Sequence, residues 1–373
     1  MSAEIIKQTN EPPEQSFRLV PSGTDLTTFQ TQLVIAAAVC LVCCLALFWP
    51  IFKNDIYHLV NLVLMVACAV CVTQVAAAIT GLYGNRLGGA AAVWAGLLFC
   101  AFPLHAETVA AITARGQLLG AVFYLTTVLF YVKFRTWRER PYLWLALGSC
   151  LLGVLSSTFD WTIPLVITAA EFILIPMPAG LTPTAIASLS SQRLMSVMLF
   201  WFLLFFTASI GMLAPNLVPM RSTPIDLSLP LAMLTSAQGL KPLLFPSGSD
   251  QLLKTCLAVA YGTLSLVLIG RLVTRTISAR MVLFLLIWLF AGFAGMSHLL
   301  STRPADVSFI SSVPLALGLA LCSLPTSGAI ARKCAARLAL ISTVTLTILT
   351  VSWFYAAHNA VQAEVKTGHS GVG

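Results

Sequence analysis

Three residues with side chains suited to catalysis stand close together in the sequence. His105, Glu107 and Arg115 lie within a fourteen-residue segment, from Phe102 to Arg115, that separates two apolar runs. A carboxylate can act as a general base, a histidine can carry a proton, and an arginine can hold a phosphate with its planar fork. The trio suits a reaction at a sugar phosphate presented from a membrane. The alternative is a polar loop closed by a Glu107–Arg115 ion pair.

The composition places these residues in a membrane protein. Hydrophobic residues make up 58% of the 373 residues, charged residues make up 9%, and the mean hydropathy is +0.91. Soluble domains contain roughly 45–50% apolar residues, so the sequence predicts a polytopic membrane protein. The net charge of +8 does not indicate nucleic-acid binding, because the basic residues stand between the apolar runs rather than on one face.

The apolar runs recur from residue 31 to residue 357 with short polar breaks. This pattern predicts one all-α membrane domain with about eleven transmembrane helices. Several runs are near the lower limit of roughly 17 residues for a span, which allows half-helices or tilted helices. The predicted helices cover residues 32–52, 56–82, 87–103, 117–134, 142–157, 160–177, 194–214, 252–270, 281–297, 307–323 and 338–357.

The basic residues predict how these helices cross the membrane. With the N-terminus inside, most of the 21 basic residues fall on the inner side, including the dense clusters at 133–140, 271–280 and 332–337. Cytoplasmic loops carry such an excess, so we expect the N-terminus inside and the C-terminus outside. The expected location is the inner membrane of a bacterium. The segment from Phe102 to Arg115 then lies at the outer face.

Two polar ends and one long break divide the chain. Residues 1–31 are polar, contain three prolines and are predicted to be a flexible cytoplasmic arm, and the membrane domain covers residues 32–357. Residues 215–251 contain six prolines and form an outer loop that is predicted to re-enter the membrane or lie on its surface. Residues 358–373 are predicted to be a short outer tail.

Ten cysteines are present, nearly all of them within apolar runs. Cys40 with Cys43 in the first run, and Cys68 with Cys71 in the second, give two C-x-x-C spacings at similar depth. Four thiolates could bind a metal ion or a cluster, but cysteine is also a small apolar residue suited to helix contacts. We interpret the cysteines as packing residues, because no histidine or carboxylate stands beside them, and predict no metal site.

Some other residues have structural interpretations. Glu171, near the inner end of its predicted helix, is expected to be a packed or water-reaching carboxylate rather than a proton relay. Trp137 and Trp144 are expected in an aromatic belt at the membrane interface. His58, at the end of a span, is either an interfacial anchor or part of a donor site.

A longer sequence pattern runs through Ala90 to Phe134. It resembles the signature of the transmembrane O-mannosyltransferase family whose eukaryotic members carry TPR repeats, within the glycosyltransferase C (GT-C) superfamily. That signature reads approximately A-A-L-L-F-A-x-H-P-[IV]-H-x-E-A-V-A-x-[IV]-x-G-R-x-x-L-L-A. Weaker similarity covers residues 55–320 and includes Tyr57-His-Leu-Val-Asn61 and Leu243-Leu-Phe-Pro246. The positions that match the signature are Pro103, His105, Glu107, Val109, Ala110, Arg115, Leu118 and Leu119.

The resemblance implies a GT-C-like membrane enzyme that transfers a sugar from a polyprenyl-phosphate donor on the outer face, with inversion and without a nucleotide. It implies no metal and no further cofactor. The expected partners are membrane lipids, the lipid-linked sugar donor and other membrane subunits, with no nucleic acid. The residues it points to are His105, Arg115 and Arg303 at the donor phosphate, Glu107 and Asp55 as catalytic base, and His58 and Asp160 as lining residues.

Two departures from the family pattern favour an alternative. The family places its catalytic acid in a long outer loop after the first span, and here only residues 53–55 separate the first two predicted runs. The family's S-K-E corresponds to Ser156-Ser-Thr158, with Asp160 two residues later. The alternative is a catalytically inactive membrane subunit that scaffolds or stabilises a larger complex. A transporter or lipid flippase is a third interpretation, since broken spans with outer polar residues suit one.

Overall fold

The structure is a computed structural model. It describes residues 31, 34–35, 38–48, 59–82, 88–111, 114–175, 183–213, 251–273, 277–295, 304–323 and 332–370. Every regular element in these ranges is helical, which confirms the predicted all-α class. The predicted N-terminal arm, apart from residue 31, and the predicted outer loop, apart from residue 251, lie outside the described residues.

The apolar runs form helices because a helix bonds its own backbone groups, which lipid cannot do. In the first half of the chain the helices are α1 (Ala38–Phe48), α2 (Leu59–Gly81), α3 (Gly88–Ala101), α4 (His105–Ala110), α5 (Arg115–Trp137), α6 (Arg140–Ser156) and α7 (Ile163–Ala169). In the second half they are α8 (Pro183–Leu213), α9 (Gln251–Val273), α10 (Ala279–Gly295), α11 (Pro304–Ala320) and α12 (Arg332–Ser370).

Five of these helices contain a stretch that is long and apolar enough to cross a membrane. Shorter apolar helices of 10–17 residues accompany them, namely parts of α1, α3, α6, α10 and α11. The chain is therefore a multi-pass helical membrane protein, while the number of eleven spans and the N-inside, C-outside orientation stay predictions. The five long stretches are Leu59–Gly81, Arg115–Trp137, Ile186–Ser209, Leu253–Val273 and Ala339–Gln362.

The helices pack side by side, and α2 and α5 lie at the centre of the first half. Helix α2 packs along α3 and α5, and α5 packs along α6. In the second half α10 packs along α11 and α9 along α12, while α11 also contacts α3 and so joins the two halves. Large side chains such as Tyr124, Trp288 and Trp353 are fully buried between them.

Three segments differ from the predicted pattern of helices. The break after Pro103, between the predicted helices 87–103 and 117–134, contains the short helix α4. The predicted helix at 160–177 is divided into a 3₁₀ turn, Thr158–Thr162, then α7, then a π-helical turn, Ala170–Leu174. Near the other end of the chain, α12 continues to Ser370, through most of the segment predicted as the outer tail.

The cysteines meet in a combination that the C-x-x-C spacings did not indicate. The Cys44 Sγ atom on α1 lies 3.3 Å from the Cys100 Sγ atom on α3. The Cys40 Sγ atom lies 3.8 Å from the Thr73 Oγ1 atom on α2. The thiols therefore fill the contacts between α1, α2 and α3, in agreement with the packing interpretation.

The same three helices meet closely at Gly96 on α3. A Cβ atom there would contact Thr73 Oγ1 and lie 2.7 Å from Cys40 Sγ. We expect Gly96→Ala to overpack this contact and lower the free energy of unfolding by about 1–3 kcal/mol, measured from thermal unfolding in detergent. The control is Gly148→Ala on α6, because a Cβ there meets nothing within 4 Å. Equal unfolding midpoints for both variants would contradict the close packing.

Candidate functional site

Helix α4 forms because Pro103 ends α3. Proline has no N–H group to donate to the preceding turn and its ring crowds the carbonyl group there, so it favours the end of the helix at this position. The backbone turns instead through two hydrogen bonds between residues three apart. The His105 N–H group donates to Phe102 O at 3.1 Å, and the Ala106 N–H group donates to Pro103 O at 3.2 Å. The six residues His105–Ala110 then make a separate helix between two longer ones.

The imidazole ring of His105 is fully buried among aromatic rings. Its centroid lies 4.5 Å from that of Phe99, 4.5 Å from that of Phe309 and 5.2 Å from that of Phe102. Its Nε2 atom lies 3.0 Å from the hydroxyl oxygen of Ser312 on α11. The Ser312 hydroxyl donates to Phe309 O at 2.6 Å, so the Ser312 oxygen accepts from His105 and the Nε2 atom carries the hydrogen.

This burial decides the charge of His105, which lies outside the candidate membrane spans. Burial lowers the pKa of His105 from 6.5 to about 3, because a low-dielectric environment disfavours the imidazolium form. The ring is therefore neutral at pH 7 and engaged with Ser312. In this arrangement His105 joins α4 to α11, and its predicted role at a donor phosphate stays a prediction.

Asn61 on α2 holds the other end of α4. Its amide nitrogen donates to Val109 O at 2.9 Å and to Ala111 O at 3.0 Å. The last carbonyl groups of a helix have no partner within the helix, and a helix end buried without such partners is costly. Asn61 supplies two of those partners. Helix α4 is thus fixed at its start by α11 and at its end by α2.

The position of α4 determines where residues 107 and 115 lie in the backbone. Residues two apart on an α-helix are separated by about 200° around its axis, so α4 does not carry positions 105 and 107 on one face. Arg115 is the first residue of α5 and is partly exposed. The start of α5 lies against the end of α6, where a Cβ atom at Gly116 would lie 3.3 Å from Ser156 O. A helix start with an arginine favours an anion by both dipole and charge.

Asp160 lies in the 3₁₀ turn between α6 and α7 and is fully buried. Its Cγ atom is 3.1 Å from where a Cβ atom at Gly153 would stand. Among the described residues neither of its carboxyl oxygens has a hydrogen-bond partner. A fully buried carboxyl group without hydrogen-bond partners favours its uncharged form, so we expect a neutral carboxylic acid packed inside the bundle. Its predicted role as a lining residue stays a prediction.

Several predicted site residues cannot be located. Asp55, His58 and Arg303 lie outside the described residues, as does the side chain of Glu107. The structure places His105 at the start of α4 and Arg115 at the start of α5, and the convergence of the predicted site residues stays a prediction.

Sequence reasoning missed the roles of Asn61 and Ser312. Asn61 appeared only as the last letter of a matched motif, and Ser312 only in a weak flank. A signal was present in both cases, because an amide or a hydroxyl within an apolar span must find a partner and commonly bonds to a neighbouring segment. Nothing in the sequence indicated which segment that would be.

Comparisons with known proteins give one informative similarity. The chain is similar to Protein O-mannosyl-transferase Tmtc2 of Drosophila melanogaster, with 38% identity over 102 residues. The match covers 26% of this chain and 10% of that protein. No family model matches the chain, and no solved structure matches it. The similarity supports a glycosyltransferase-like relationship, whereas membership of the GT-C superfamily and the bacterial inner membrane stay predictions.

The role of Asn61 can be tested by removing its amide. We expect Asn61→Ala to remove the donor from the carbonyl groups of Val109 and Ala111, at and just after the end of α4, and to lower the free energy of unfolding by about 1–3 kcal/mol, measured by thermal unfolding. Asn61→Asp should destabilise at least as much, because a carboxylate cannot donate to the carbonyls. The matched control is Asn359→Ala, at an exposed position of α12, which should change little. A comparable loss of unfolding free energy in Asn359→Ala would contradict the role assigned to Asn61.

The buried ring of His105 predicts a dependence of stability on pH. The pKa of His105 in the folded protein is lowered from 6.5 to about 3, so its contribution is present above pH 6.5 and is lost as the pH falls towards 3. Between pH 7 and pH 5 we expect a loss of about 2 kcal/mol from this group. In His105→Gln, the unfolding midpoint should fall less over the same pH range than in the wild type. Parallel pH profiles of the two proteins would refute the neutral buried ring.

Proposed function

We propose that this protein is a membrane glycosyltransferase that takes its sugar from a polyprenyl-phosphate donor at the non-cytoplasmic face. The observation that carries the proposal is the 38% identity over 102 residues with a Protein O-mannosyl-transferase. That relative's name makes mannose the first sugar to test. The multi-pass helical architecture supports the proposal, because a lipid-linked donor is reached from within the membrane.

The geometry around α4 supports a donor-phosphate site. Arg115 stands at the start of α5, where the helix dipole and the guanidinium fork both favour a phosphate. Helix α4 immediately before it is fixed by Asn61 and by His105 with Ser312. Such fixed elements allow a short segment to hold reacting groups in one geometry, which is a large part of catalytic power. Arg303 would add a second positive charge to the phosphate.

The proposed reaction is a single displacement. Glu107, or Asp55, accepts the proton of an acceptor hydroxyl as the hydroxyl oxygen forms a bond to the anomeric carbon. The bond between that carbon and the phosphate oxygen breaks, and polyprenyl phosphate leaves with the electron pair. Arg115 and Arg303 stabilise the negative charge that develops on the leaving phosphate. No redox partner and no nucleotide is required.

A second candidate function is favoured by a specific observation. In the sequence only residues 53–55 separate the first two predicted runs, and ten residues lie between the described parts of helices α1 and α2. A connection of this length offers little surface for an acceptor. It favours a catalytically inactive membrane subunit that stabilises a larger complex through its helices, and this alternative predicts no turnover and a stable association with other chains.

The proposal is tested with the purified full-length protein in nanodiscs and labelled polyprenyl-phosphate mannose, with a membrane extract as the source of acceptor. We expect release of polyprenyl phosphate and transfer of the label. Glu107→Gln should lower kcat by about 10²–10⁴-fold if Glu107 is the base, and Arg115→Ala should weaken use of the donor. The matched control is Arg140→Ala, at an exposed arginine at the start of α6.

Two outcomes would count against the enzyme. Background turnover that is the same in the wild type and all variants would exclude donor chemistry at this site. Recovery of stoichiometric partner chains in mild detergent, together with absent turnover, would support the subunit instead. A loss of turnover in Arg140→Ala equal to that in Arg115→Ala would indicate a general effect of surface charge.

A further inference from the structure

Two cysteines from different helices meet near the end of α3 that precedes α4. The Sγ atom of Cys44 on α1 lies 3.3 Å from the Sγ atom of Cys100 on α3, and the Cys44 thiol is the donor. The Cys100 thiol in turn donates to Cys40 O at 3.9 Å. Both side chains are buried, and both carry thiols in this structure. The two sulfur atoms therefore face each other across the contact between the helices.

This contact depends on the close approach of α1 and α3 one turn earlier. Gly96 lies four residues before Cys100, and Cys40 lies four residues before Cys44. A Cβ atom at Gly96 would lie 2.7 Å from Cys40 Sγ, so the helices come this close because position 96 has no side chain. Four residues make about one turn of an α-helix. The two contacts follow in the same order along both helices, so α1 and α3 run in the same direction and bring Cys44 to the level of Cys100.

The arrangement meets the requirements of a disulfide bond. Such a bond needs two cysteine side chains that point toward each other from backbones held close together. Cys44 and Cys100 fulfil the first condition through their sulfur contact, and the approach at Gly96 fulfils the second. Cys68 of the second C-x-x-C pair has a different partner, because its thiol donates to Leu118 O at 3.7 Å. A disulfide is therefore expected between two helices rather than within a C-x-x-C pair.

The depth of the pair indicates an oxidising environment. Cys100 is the second-last residue of α3 and lies three residues before Pro103. With the expected N-inside orientation, α1 and α3 both run outward, so this end of both helices lies at the outer face. Disulfides form and persist in compartments outside the cytoplasm, such as the bacterial periplasm and the lumen of the endoplasmic reticulum. The pair stands at the end of the bundle where a disulfide is maintained.

We propose that Cys44 and Cys100 form a disulfide bond that joins α1 to the end of α3, by exchange with a disulfide oxidant of the outer compartment. The thiolate of one cysteine attacks the disulfide of the oxidant, which forms a mixed disulfide and releases one thiol of the oxidant. The thiolate of the other cysteine then attacks the sulfur of the first and releases the second thiol. The two cysteines lose two protons and two electrons, and the disulfide of the oxidant is reduced to two thiols.

The exchange precedes the packing of α1 on α3, because thiols buried in apolar surroundings are inert. Once the helices have packed, the same burial excludes reductants from the bond. The bond closes a loop between residues 56 apart in the sequence, which stabilises the folded protein mainly by restricting the unfolded chain. It also holds α1 against the end of α3, directly before the break in which α4 lies.

The bond is tested by counting thiols in the full-length protein. Cells that insert the protein into a membrane with an oxidising outer side are precipitated with acid, which stops thiol exchange. The protein is then denatured in the presence of a maleimide, and its intact mass is measured with and without prior reduction. In the wild type we expect two fewer labelled cysteines without reduction than after it. In Cys44→Ser and in Cys100→Ser the two numbers should be equal, because the remaining cysteine of the pair stays a thiol.

The matched control is Cys40→Ser, because Cys40 lies one turn from Cys44 on the same helix and is also close to Cys100. This variant should keep the difference of two labelled cysteines. Equal numbers with and without reduction in the wild type would overturn the proposal. So would a difference that persists in both Cys44→Ser and Cys100→Ser, since the disulfide would then join other cysteines. Loss of the difference in Cys40→Ser, together with its persistence in Cys44→Ser, would assign the bond to Cys40 and overturn the proposed pair.

Discussion

A helix that stops inside a membrane protein leaves carbonyl oxygens that lipid cannot hydrate, and this chain interrupts its helices at several points. At two of these points a side chain from another segment bonds to an exposed carbonyl group. Asn61 reaches the end of α4, and Arg193 reaches the carbonyl that the π-helical turn displaces. These two polar side chains therefore have a structural role, because each bonds to a backbone carbonyl group that would otherwise lack a donor.

This constraint explains why the two polar regions differ. Around α4 the fixing groups are neutral, because Asn61, the His105 ring and Ser312 carry no charge at pH 7. Neutral groups can be buried completely once they are hydrogen-bonded. The charged side chain in this region, Arg115, is partly exposed. At the π-helical turn the fixing group is itself a cation, Arg193. A carboxylate must be buried with it, and the region becomes an ionic cluster.

The sequence was sufficient to predict where the helices lie along the chain, but it did not predict how each helix is rotated about its axis. Long apolar runs and basic clusters indicate spans directly, and the helical class followed from them. Which side chains meet depends on how each helix is turned about its axis, and helices that are apolar on all sides carry little information about that. This is why Cys44 was found against Cys100 instead of within a C-x-x-C pair. It is also why Asn61 could be seen as polar but not assigned a partner.

The candidate site was predictable to the same extent. The residue types at 105, 107 and 115 indicated a polar break between spans, and the break is there. Its helical form was not predicted, because six residues are too few for an apolar period to be read, and the helix depends on bonds from α2 and α11 rather than on its own sequence.

The bonds of Asn61 also have a consequence for how the chain enters the membrane during synthesis. The amide on α2 is made 48 residues before its first acceptor, Val109 O, and 50 residues before the second, Ala111 O. Until those residues leave the ribosome, the Asn61 amide lacks these two acceptors, and its transfer into the hydrocarbon of the membrane is unfavourable. Helices α2, α3 and α4 are then expected to pass laterally into lipid as one unit, with α2 waiting at the translocation channel for the two helices that follow it.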